Sequence, residues 1–518
     1  MLNQEQRSSL SQSNFYDHLR AGGKLRYLVL TTLLALGRVP WAERLLILGK
    51  LIIKVENLAV GHIIESKSIK STFAETEIPK GNIKSIDFKY TNQNVYDILI
   101  VGSGPGGAVA ASKMNSNSSI LILEAGEESS TTHRDHHTLK HVQNDFFRGG
   151  QELILNKELS QFAQAKVFGG GSEVNSGLYH KLPKSKYDEF LTKSHIDEKT
   201  WLESEERIYK RLKISKSPAN ANDSVIARGA EKMTLPFENI PRWRTYHEGG
   251  DFSHHGMTDV FWKELSSREN IEFKLGVQVT RIFKSGQVFQ VETLNKDGLK
   301  NTFYAHKIIM AAGTTQTPYL LAKSGFISWS DTSFQWHPMY RRIVRTSQSD
   351  LGLLDIDPFQ AWTSGHTLKF GSAVSTPGLL ATNIGAKIFE EDVNTLRSYY
   401  VSFSSSGRGG LIPNTSVPWY RFSALDKKLK VLGQDYLESM LLSGGGLLIN
   451  SLGDSSGKSS TVHIFGSLPL DSKIYVEGTC RLKSDENIQI ADGSILPIGP
   501  GVNPQGVIMT TVDVKVEA

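Results

Sequence analysis

A glycine-rich turn between two apolar runs restricts the fold of this 518-residue chain more than any other feature. Residues 98–101 are apolar and predict a buried strand, which leads directly into the glycines of residues 102–107. Residues 108–114 then predict a helix, and the apolar residues 120–123 predict a second strand. This strand–turn–helix–strand order is the context in which a G-x-G-x-x-G sequence binds a dinucleotide.

Each part of the turn has a physical role in that prediction. Gly102 permits a tight turn, Gly104 lets the backbone approach a pyrophosphate, and Gly107 lets the helix pack against the strand. The helix N-terminus attracts phosphates because it carries about half a positive charge and free N–H groups. Glu124 lies 22 residues after Gly102, where an acid accepts hydrogen bonds from an adenosine ribose. These residues do not distinguish FAD from a nicotinamide cofactor.

The composition is typical of a soluble globular protein, with 39% hydrophobic and 21% charged residues. The length favours two domains. The net charge of +5 (58 minus 53) is spread along the chain without a basic stripe, so we predict no nucleic-acid partner. Cys480 is the only cysteine, which excludes an internal disulfide and a thiolate metal cluster. We predict no metal site and a cytoplasmic location.

The N-terminal region has a different character. Residues 27–36 and 45–53 hold two apolar segments, and neither reaches the roughly 20 residues that span a bilayer. One prediction is a pair of helices packed on the body of the protein. The alternative is an anchor, residues 25–53, that lies in a membrane surface. Residues 65–94 are polar and indicate a connector.

Three later segments carry further candidate site residues. Gly169 to Gly171 expose backbone N–H groups that suit close approach to a flat or anionic cofactor. Residues 271–279 and 288–293 predict strands, and a buried strand from residue 307 ends at a turn of small residues before a helix at residues 318–323.

The third segment is C-terminal. His463 follows a Ser/Gly loop, and Asn503 lies 40 residues after it. Pro504 is suited to the first position of a helix, which predicts that Asn503 caps that helix.

The order of these segments resembles the glucose–methanol–choline (GMC) oxidoreductases over about residues 96–518. The resemblance implies an α/β fold: a Rossmann-like FAD-binding domain with a doubly wound parallel sheet, and an α+β substrate-binding cap domain. We assign residues 95–182, 251–326 and 454–518 to the first domain and residues 183–250 and 327–453 to the second. Residues 1–94 form a helical extension and connector.

The resemblance also implies the cofactor and its contacts. Some family members attach FAD through a histidine in the glycine-rich segment, and Glu173 and Val174 stand there in this chain, so we expect non-covalent FAD. The implied cofactor-binding residues are Gly102, Ser103, Gly104, Pro105, Gly106, Gly107, Glu124, Ala125, Gly126, Gly170, Gly171, Ser172, Asn175, Val279, Ala312, Gly313, Asp492, Asn503, Pro504 and Gln505.

The predicted reaction is oxidation of an alcohol or sugar hydroxyl by hydride transfer to the flavin. A histidine near its ordinary pKa is a natural base, so His463 is predicted to take the hydroxyl proton. Asn503 is predicted to hold the substrate oxygen. The electron acceptor is oxygen, a quinone or a partner protein. His337 receives no role, because the sequence before it departs from the family pattern. The alternative function is that of a non-redox flavoprotein, a lyase or a decarboxylase.

Overall fold

The computed structural model describes residues 10, 14–21, 24–36, 46–72, 95–129, 138–247, 252–347, 356–449 and 459–518. Within these residues the chain forms two large sheets with helices packed around them. The helices are Phe15–Ala21, Lys24–Leu36, Leu46–Thr72, Pro105–Lys113, Leu139–Asp145, Gly171–Val174, Tyr187–Ser194, Glu198–Arg211, Val225–Lys232, Lys263–Leu265, Gln316–Lys323, Pro377–Ile384, Ala424–Ser443 and Gln505–Lys515.

The first sheet has eight described strands and a parallel core. In spatial order the parallel strands are Asp485–Ile490, Lys300–Met310, Tyr96–Val101, Ile120–Leu123 and Ile271–Lys274. Antiparallel strands Arg481–Leu482, Val288–Asn295 and Val277–Ser285 extend it. The apolar run of Ile120–Leu123 is wholly buried, as parallel strands covered on both faces are. The predicted doubly wound parallel sheet is confirmed.

The order of strands in this sheet determines where a ligand can bind. From Tyr96–Val101 the chain adds Ile120–Leu123 on one side, and later adds Lys300–Met310 on the other. The crevice outside the carboxyl ends of strands at such a reversal is the usual ligand site of an open α/β sheet. The 102–107 turn follows Tyr96–Val101, and the 311–313 turn follows Lys300–Met310. Both turns therefore begin at the carboxyl ends of the two strands where the order reverses.

The second sheet has nine described strands, almost all antiparallel. In spatial order they are Glu152–Ile154, Ser160–Phe162, Ser459–Thr461, Met339–Arg345, Leu396–Ser402, Lys369–Ala373, Phe359–Trp362 and Phe237–Asn239, with Leu447–Leu448 also paired to Met339–Arg345. Residues 152–162 and 459–461, assigned to the first domain, thus belong to the same sheet as strands from the region assigned to the cap, and Ser459–Thr461 pairs directly with Met339–Arg345. The domain boundaries stay a prediction.

The other strands in the described residues form short two-stranded ladders. They are Gln335–Trp336 with Ile464–Phe465, Arg408–Leu411 with Pro418–Arg421, and Arg244–Tyr246 with Phe252–His254. The first of these ladders lies beside both candidate site histidines, His337 and His463.

Several local predictions are wrong in detail. Residues 271–279 form two strands rather than one, because Gly276 adopts a φ of +65° between them. The helix Leu46–Thr72 continues through residues 65–72, which the sequence indicated as connector. Pro504, not Asn503, caps the C-terminal helix, and Asn503 uses its side chain elsewhere.

The long N-terminal helix packs on the body of the protein. Val60 and Ile64 of Leu46–Thr72 share a buried apolar cluster with Leu380 and Ile384. The carboxylate of Glu65 accepts hydrogen bonds from the backbone N–H of Leu139. Of the helices in the described part of the chain, none combines the length and apolar character needed to cross a bilayer.

Candidate active site

A cavity of about 910 Å³ opens at the reversal point of the eight-stranded sheet. One side, which we call the glycine wall, consists of the loops that follow the parallel strands and of the second glycine loop. Its residues are Gly102, Gly104, Pro105, Gly106, Glu124, Ala125, Gly170, Gly171, Ala311, Ala312, Gly313, Asp492 and Gly493. The other side, the sheet wall, is one face of the nine-stranded sheet. Its residues are Met339, Arg341, Ile343, Ala373, Ser398 and Tyr400.

In the first turn Gly102 and Gly107 have the packing roles that the sequence predicts, and Gly104 leaves open the space that its predicted role requires. Gly102 has a φ of +104°, and a Cβ there would lie 2.2 Å from the carbonyl oxygen of Ala311. A Cβ at Gly107 would lie 2.2 Å from the carbonyl oxygen of Gly102, so this glycine lets the helix pack against the turn. At Gly104 the nearest atom to a Cβ is the Gly170 Cα, at 3.9 Å. Gly104 therefore keeps space in front of the helix free.

This arrangement fits the pyrophosphate of a dinucleotide. The helix Pro105–Lys113 begins at Gly104, and no side chain there caps its N–H groups. A Cβ at Gly170 would lie 2.6 Å from the Gly104 Cα, so the two glycine loops meet backbone to backbone at this point. The helix N-terminus and the bare backbone around it can receive phosphate oxygens.

Glu124 is held by the turn that it faces. Its Oε2 accepts hydrogen bonds from the backbone N and the Oγ of Ser103, at 2.9 and 2.7 Å, and its Oε1 accepts one from Gly126 N at 2.8 Å. Burial raises the pKa of this carboxyl. A carboxylate offers about four lone-pair sites, so one remains for a ribose hydroxyl.

Four of the predicted cofactor-binding residues do not reach the cavity surface. They are Ser103, Gly107, Gly126 and Ser172. Ser103 Oγ also accepts a hydrogen bond from Gly169 N at 3.0 Å, which ties the first turn to the second glycine loop. Ser172 Oγ accepts one from Met257 N at 2.9 Å. Both serines support the wall from behind.

Asp492 joins the C-terminal part of the chain to the sheet. Its Oδ2 accepts hydrogen bonds from Gly313 N at 2.9 Å and Thr317 Oγ1 at 2.5 Å, and its Oδ1 accepts one from Ser494 N at 2.8 Å. Burial raises the pKa of Asp492. The carboxylate therefore fixes the turn after Lys300–Met310 against the segment that leads to Asn503.

The remaining predicted cofactor-binding residues line the cavity. Beyond the glycine wall they are Asn175, Val279, Asn503, Pro504 and Gln505. Asn175 Nδ2 donates to Gln505 Oε1 at 2.8 Å, so the second glycine loop also contacts the start of the C-terminal helix. Together these residues bring four distant segments of sequence to one cavity.

His463 lines the same cavity, and His337 lies behind it. Their Nδ1 atoms are 3.4 Å apart, and the backbone N of His337 donates to His463 O at 3.0 Å. The Nε2 of His337 lies 3.4 Å from Ser404 Oγ, which donates to Gly499 O at 3.3 Å.

These contacts define a direction for the protons. A carbonyl only accepts, so Ser404 donates to Gly499 and accepts from His337 Nε2. His337 Nδ1 is then the acceptor for an Nδ1–H of His463, and the Nε2 of His463 keeps its lone pair. Burial, and then nearby Lys369, lower the pKa of His463 well below its usual value. His463 is therefore neutral, with a lone pair free to take a proton, but it is a weaker base than the histidine of ordinary pKa that the sequence predicts.

The sequence analysis missed Lys369, which contacts Asn503. Lys369 is 1% exposed, and its Nζ donates to Asn503 Oδ1 at 2.5 Å. An ammonium only donates, so this contact fixes the amide with its Nδ2–H groups free for another acceptor. Burial lowers the pKa of Lys369 to about 7. A lysine inside residues 368–374, where Ser372 is the other polar residue, was the available signal.

Arg341 and Tyr400 are two further residues that sequence reasoning missed. They face each other in register on neighbouring strands, and both line the cavity. Burial lowers the pKa of Arg341. Among the described residues no carboxylate forms an ion pair or a hydrogen bond with it. Lys369 Nζ lies 5.6 Å from the centroid of the Tyr400 ring, so the tyrosine lies beside both cations.

Comparisons with known proteins agree with this geometry. Residues 96–338 match the family model described as GMC oxidoreductase. An uncharacterized GMC-type oxidoreductase from Sinorhizobium fredii is 22% identical over 80% of this chain and 92% of its own length. A long-chain-alcohol oxidase from Arabidopsis thaliana is 25% identical over 44% of this chain, but the match spans only 34% of the oxidase.

A solved structure shares the fold. The crystal structure of pyridoxine 4-oxidase from Mesorbium loti superposes with a TM-score of 0.62 at 15% identity, over 81% of this chain and 98% of that one. The superposition shows a shared fold, and the sequence matches confirm the predicted resemblance to the GMC oxidoreductases. The family is one of oxidoreductases that act on alcohol groups and generally bind FAD.

Proposed function

We propose that this protein oxidises a hydroxyl group of a small molecule, using FAD held without a covalent bond. One observation carries the proposal: His463 and Asn503 line the same cavity as the dinucleotide-binding turn. In this proposal the glycine wall holds the cofactor. The helix at Gly104 receives the diphosphate, and Glu124 accepts a hydrogen bond from the ribose. Glu173 and Val174 offer no histidine for covalent attachment.

Two side chains at the inner end of the cavity, those of His463 and Asn503, bind the hydroxyl proton and the substrate oxygen. Bound FAD supplies the acceptor for the hydride. His463 Nε2 takes the hydroxyl proton, and Asn503 Nδ2 donates a hydrogen bond to the substrate oxygen as negative charge develops there. The ammonium of Lys369 holds Asn503 in this orientation. General-base assistance of this kind contributes about 10²–10⁴-fold, or roughly 3–5 kcal/mol of barrier.

We also propose that the electron acceptor is oxygen, a quinone or a partner protein. The protein is proposed to be cytoplasmic and to lie on a membrane surface. The helix Lys24–Leu36 supports surface contact, because its Leu28 and Val29 are 62% and 47% exposed. Binding to vesicles by wild type, and its loss in the double variant L28S/V29S, is the expected result. Equal binding by both would contradict it.

An anaerobic flavin-reduction screen tests the function. The holoprotein is mixed with a panel of alcohols and sugars under nitrogen, and flavin absorbance is followed. We expect at least one hydroxyl compound to bleach the flavin, and peroxide detection in air then separates an oxidase from a dehydrogenase. A flavin that stays oxidised while a cyanohydrin is cleaved, or while a carboxylic acid loses CO₂ in light, would establish the non-redox alternative instead.

A further inference from the structure

We propose that Arg341, assisted by Lys369, binds a carboxylate on the substrate, so that the alcohol oxidised here is a hydroxy acid. This rests on the proposed function, because it names the substrate class of the same site.

Strand register places both cations on the face of the sheet that lines the cavity. Arg341 pairs with Tyr400, which pairs on its other side with Gly371. Two residues along, Lys369 occupies the next row on the same face, because side chains alternate between faces. The rows are separated by about 7 Å, which is two residues of strand rise. Arg341 is thus one row outward from the lysine that holds Asn503.

The acids near the cavity are already engaged. Glu438 accepts a hydrogen bond from the Nε of Arg342 at 2.6 Å, and Glu124 and Asp492 accept hydrogen bonds from the loops of the glycine wall. Among the described lining residues no further acid faces Arg341. Its guanidinium therefore enters the cavity with no anion beside it.

A substrate carboxylate completes this arrangement. Arg341 is partly buried, where an unpaired cation is unfavourable, and a guanidinium binds a carboxylate through two parallel hydrogen bonds. An anion here also offsets the two positive charges that disfavour protonation of His463, so substrate binding strengthens the base. Binding of the substrate carboxylate therefore makes His463 a better acceptor for the hydroxyl proton of the same substrate.

The next part of the cavity is apolar. Ile343 lies one row beyond Arg341, and Leu379, Ile384 and Ile449 line the space around it. Two other cations among the described residues line this part of the cavity, and both have partners: Lys54 donates to Leu159 O, and Arg342 donates to Glu438. Among the described lining cations, Arg341 alone has neither an acidic nor a carbonyl partner. One free guanidinium beside apolar residues suits a singly charged carboxylate with a hydrocarbon part better than a dianionic phosphate.

Matched substrates test the proposal in the holoprotein. A series of hydroxy acids, from short to long, is compared with the same alcohols as methyl esters. We expect wild type to reduce its flavin with an acid at a kcat/KM at least about 30-fold above that with the ester. Arg341→Met should lose that preference through a raised KM and keep its activity with the ester. Arg341→Lys should keep part of it, and the control Arg345→Met, on the same strand but exposed and paired with Glu391, should keep all of it.

The outcomes separate the two proposals. If esters react as well as acids in wild type, or if Arg341→Met loses its flavin, the carboxylate site is wrong while the proposed oxidation stands. If no hydroxyl compound reduces the flavin, the proposed oxidation fails. In that case perturbation of the wild-type flavin spectrum by a saturated carboxylic acid, absent in Arg341→Met and present in Arg345→Met, still supports the carboxylate site. No perturbation in wild type would overturn it.

Discussion

The two walls of the cavity hold their charged groups in opposite ways. On the glycine wall the charged groups are acids, Glu124 and Asp492, and each carboxylate accepts three hydrogen bonds from the protein itself. At the sheet wall the charges are cations: Arg341 lines the wall, and Lys369 lies on the same face of the sheet, outside the lining residues. Lys369 has only a neutral amide as its hydrogen-bond acceptor, and Arg341 has no partner among the described acids.

This difference separates a resident ligand from an exchanging one. A wall whose polar groups are satisfied internally keeps its shape when the site is empty, which suits a cofactor held through many turnovers. A wall with unsatisfied charge gains stability when an anion arrives and loses it when the anion leaves. The glycine wall therefore has the character of a cofactor site, and the sheet wall that of a substrate site.

The largest expected effect is on the glycine wall. Gly104→Leu should give a folded protein without flavin, because the side chain would fill the free space in front of the helix N-terminus. Flavin absorbance per mole of purified protein measures this, with circular dichroism to confirm folding. A variant with a full complement of flavin would contradict the role of this wall.

The control for Gly104→Leu is Gly106→Ala, two residues away, where an added side chain would meet packed backbone instead of the open space of the cavity. A Cβ at Gly106 would lie 1.8 Å from the carbonyl oxygen of Ala491, which is backbone and cannot move aside easily. Gly106→Ala should therefore lower the melting temperature, whereas Gly104→Leu should lower flavin content with the apoprotein still folded.

At the inner end of the cavity, between the walls, His463→Ala should keep its flavin and lose about 10²–10⁴-fold in the rate of flavin reduction by substrate, since the proton acceptor is removed. Stopped-flow absorbance under nitrogen measures the rate. His306→Ala, an exposed histidine on Lys300–Met310, is the matched control and should be unchanged. Unchanged reduction in His463→Ala would remove this residue from the mechanism.

The sequence predicted the first turn of the glycine wall and Glu124 because their information is local. Gly102, Gly104, Gly107 and Glu124 lie within one short unit whose spacing has a direct physical meaning. The strand Ile120–Leu123 has the bounds that its apolar run indicates. Where Gly276 interrupts the strand pattern of residues 271–279, the prediction of a single strand was wrong, because a glycine within a strand pattern also permits a break.

The sheet wall was not predictable in the same way. Arg341, Tyr400 and Lys369 come together through the pairing of three strands that are distant in sequence. A lone arginine or lysine within an apolar strand indicates a buried charge but does not identify what surrounds it. The contact of His337 with His463 likewise depends on the ladder Gln335–Trp336 with Ile464–Phe465, which the sequence analysis did not foresee.

A smaller effect is expected for Glu124→Gln. An amide has one acceptor oxygen, so it cannot accept from both Ser103 N and Gly126 N, and one buried N–H loses its partner. A loss of about 1–3 kcal/mol in the wall corresponds to roughly 5–150-fold weaker flavin binding, measured by titrating the apoprotein. Glu127→Gln, an exposed carboxyl in the same segment, is the control. Equal dissociation constants for wild type and Glu124→Gln would show that the wall tolerates an unsatisfied group.

The smallest expected effect, counted per pH unit, is a pH dependence beside the sheet wall. Burial lowers the pKa of Lys369 to about 7, whereas in the unfolded chain it returns to its ordinary 10.5. Between these values the unfolded chain binds more protons, so the free energy of unfolding of wild type should rise with pH relative to Lys369→Met, by at most about 1.4 kcal/mol per pH unit. Urea unfolding of both proteins from pH 6 to pH 10 measures this, with the exposed-lysine variant Lys210→Met as the control.

Adding a carboxylic acid should move the start of that rise to higher pH, because a bound anion favours the charged ammonium. The shift would show that the positive charge of the sheet wall is stabilised by a ligand rather than by the protein. Parallel stability curves for wild type and Lys369→Met, with or without the acid, would instead show that Lys369 keeps one protonation state throughout, and the contrast between the two walls would then rest on Arg341 alone.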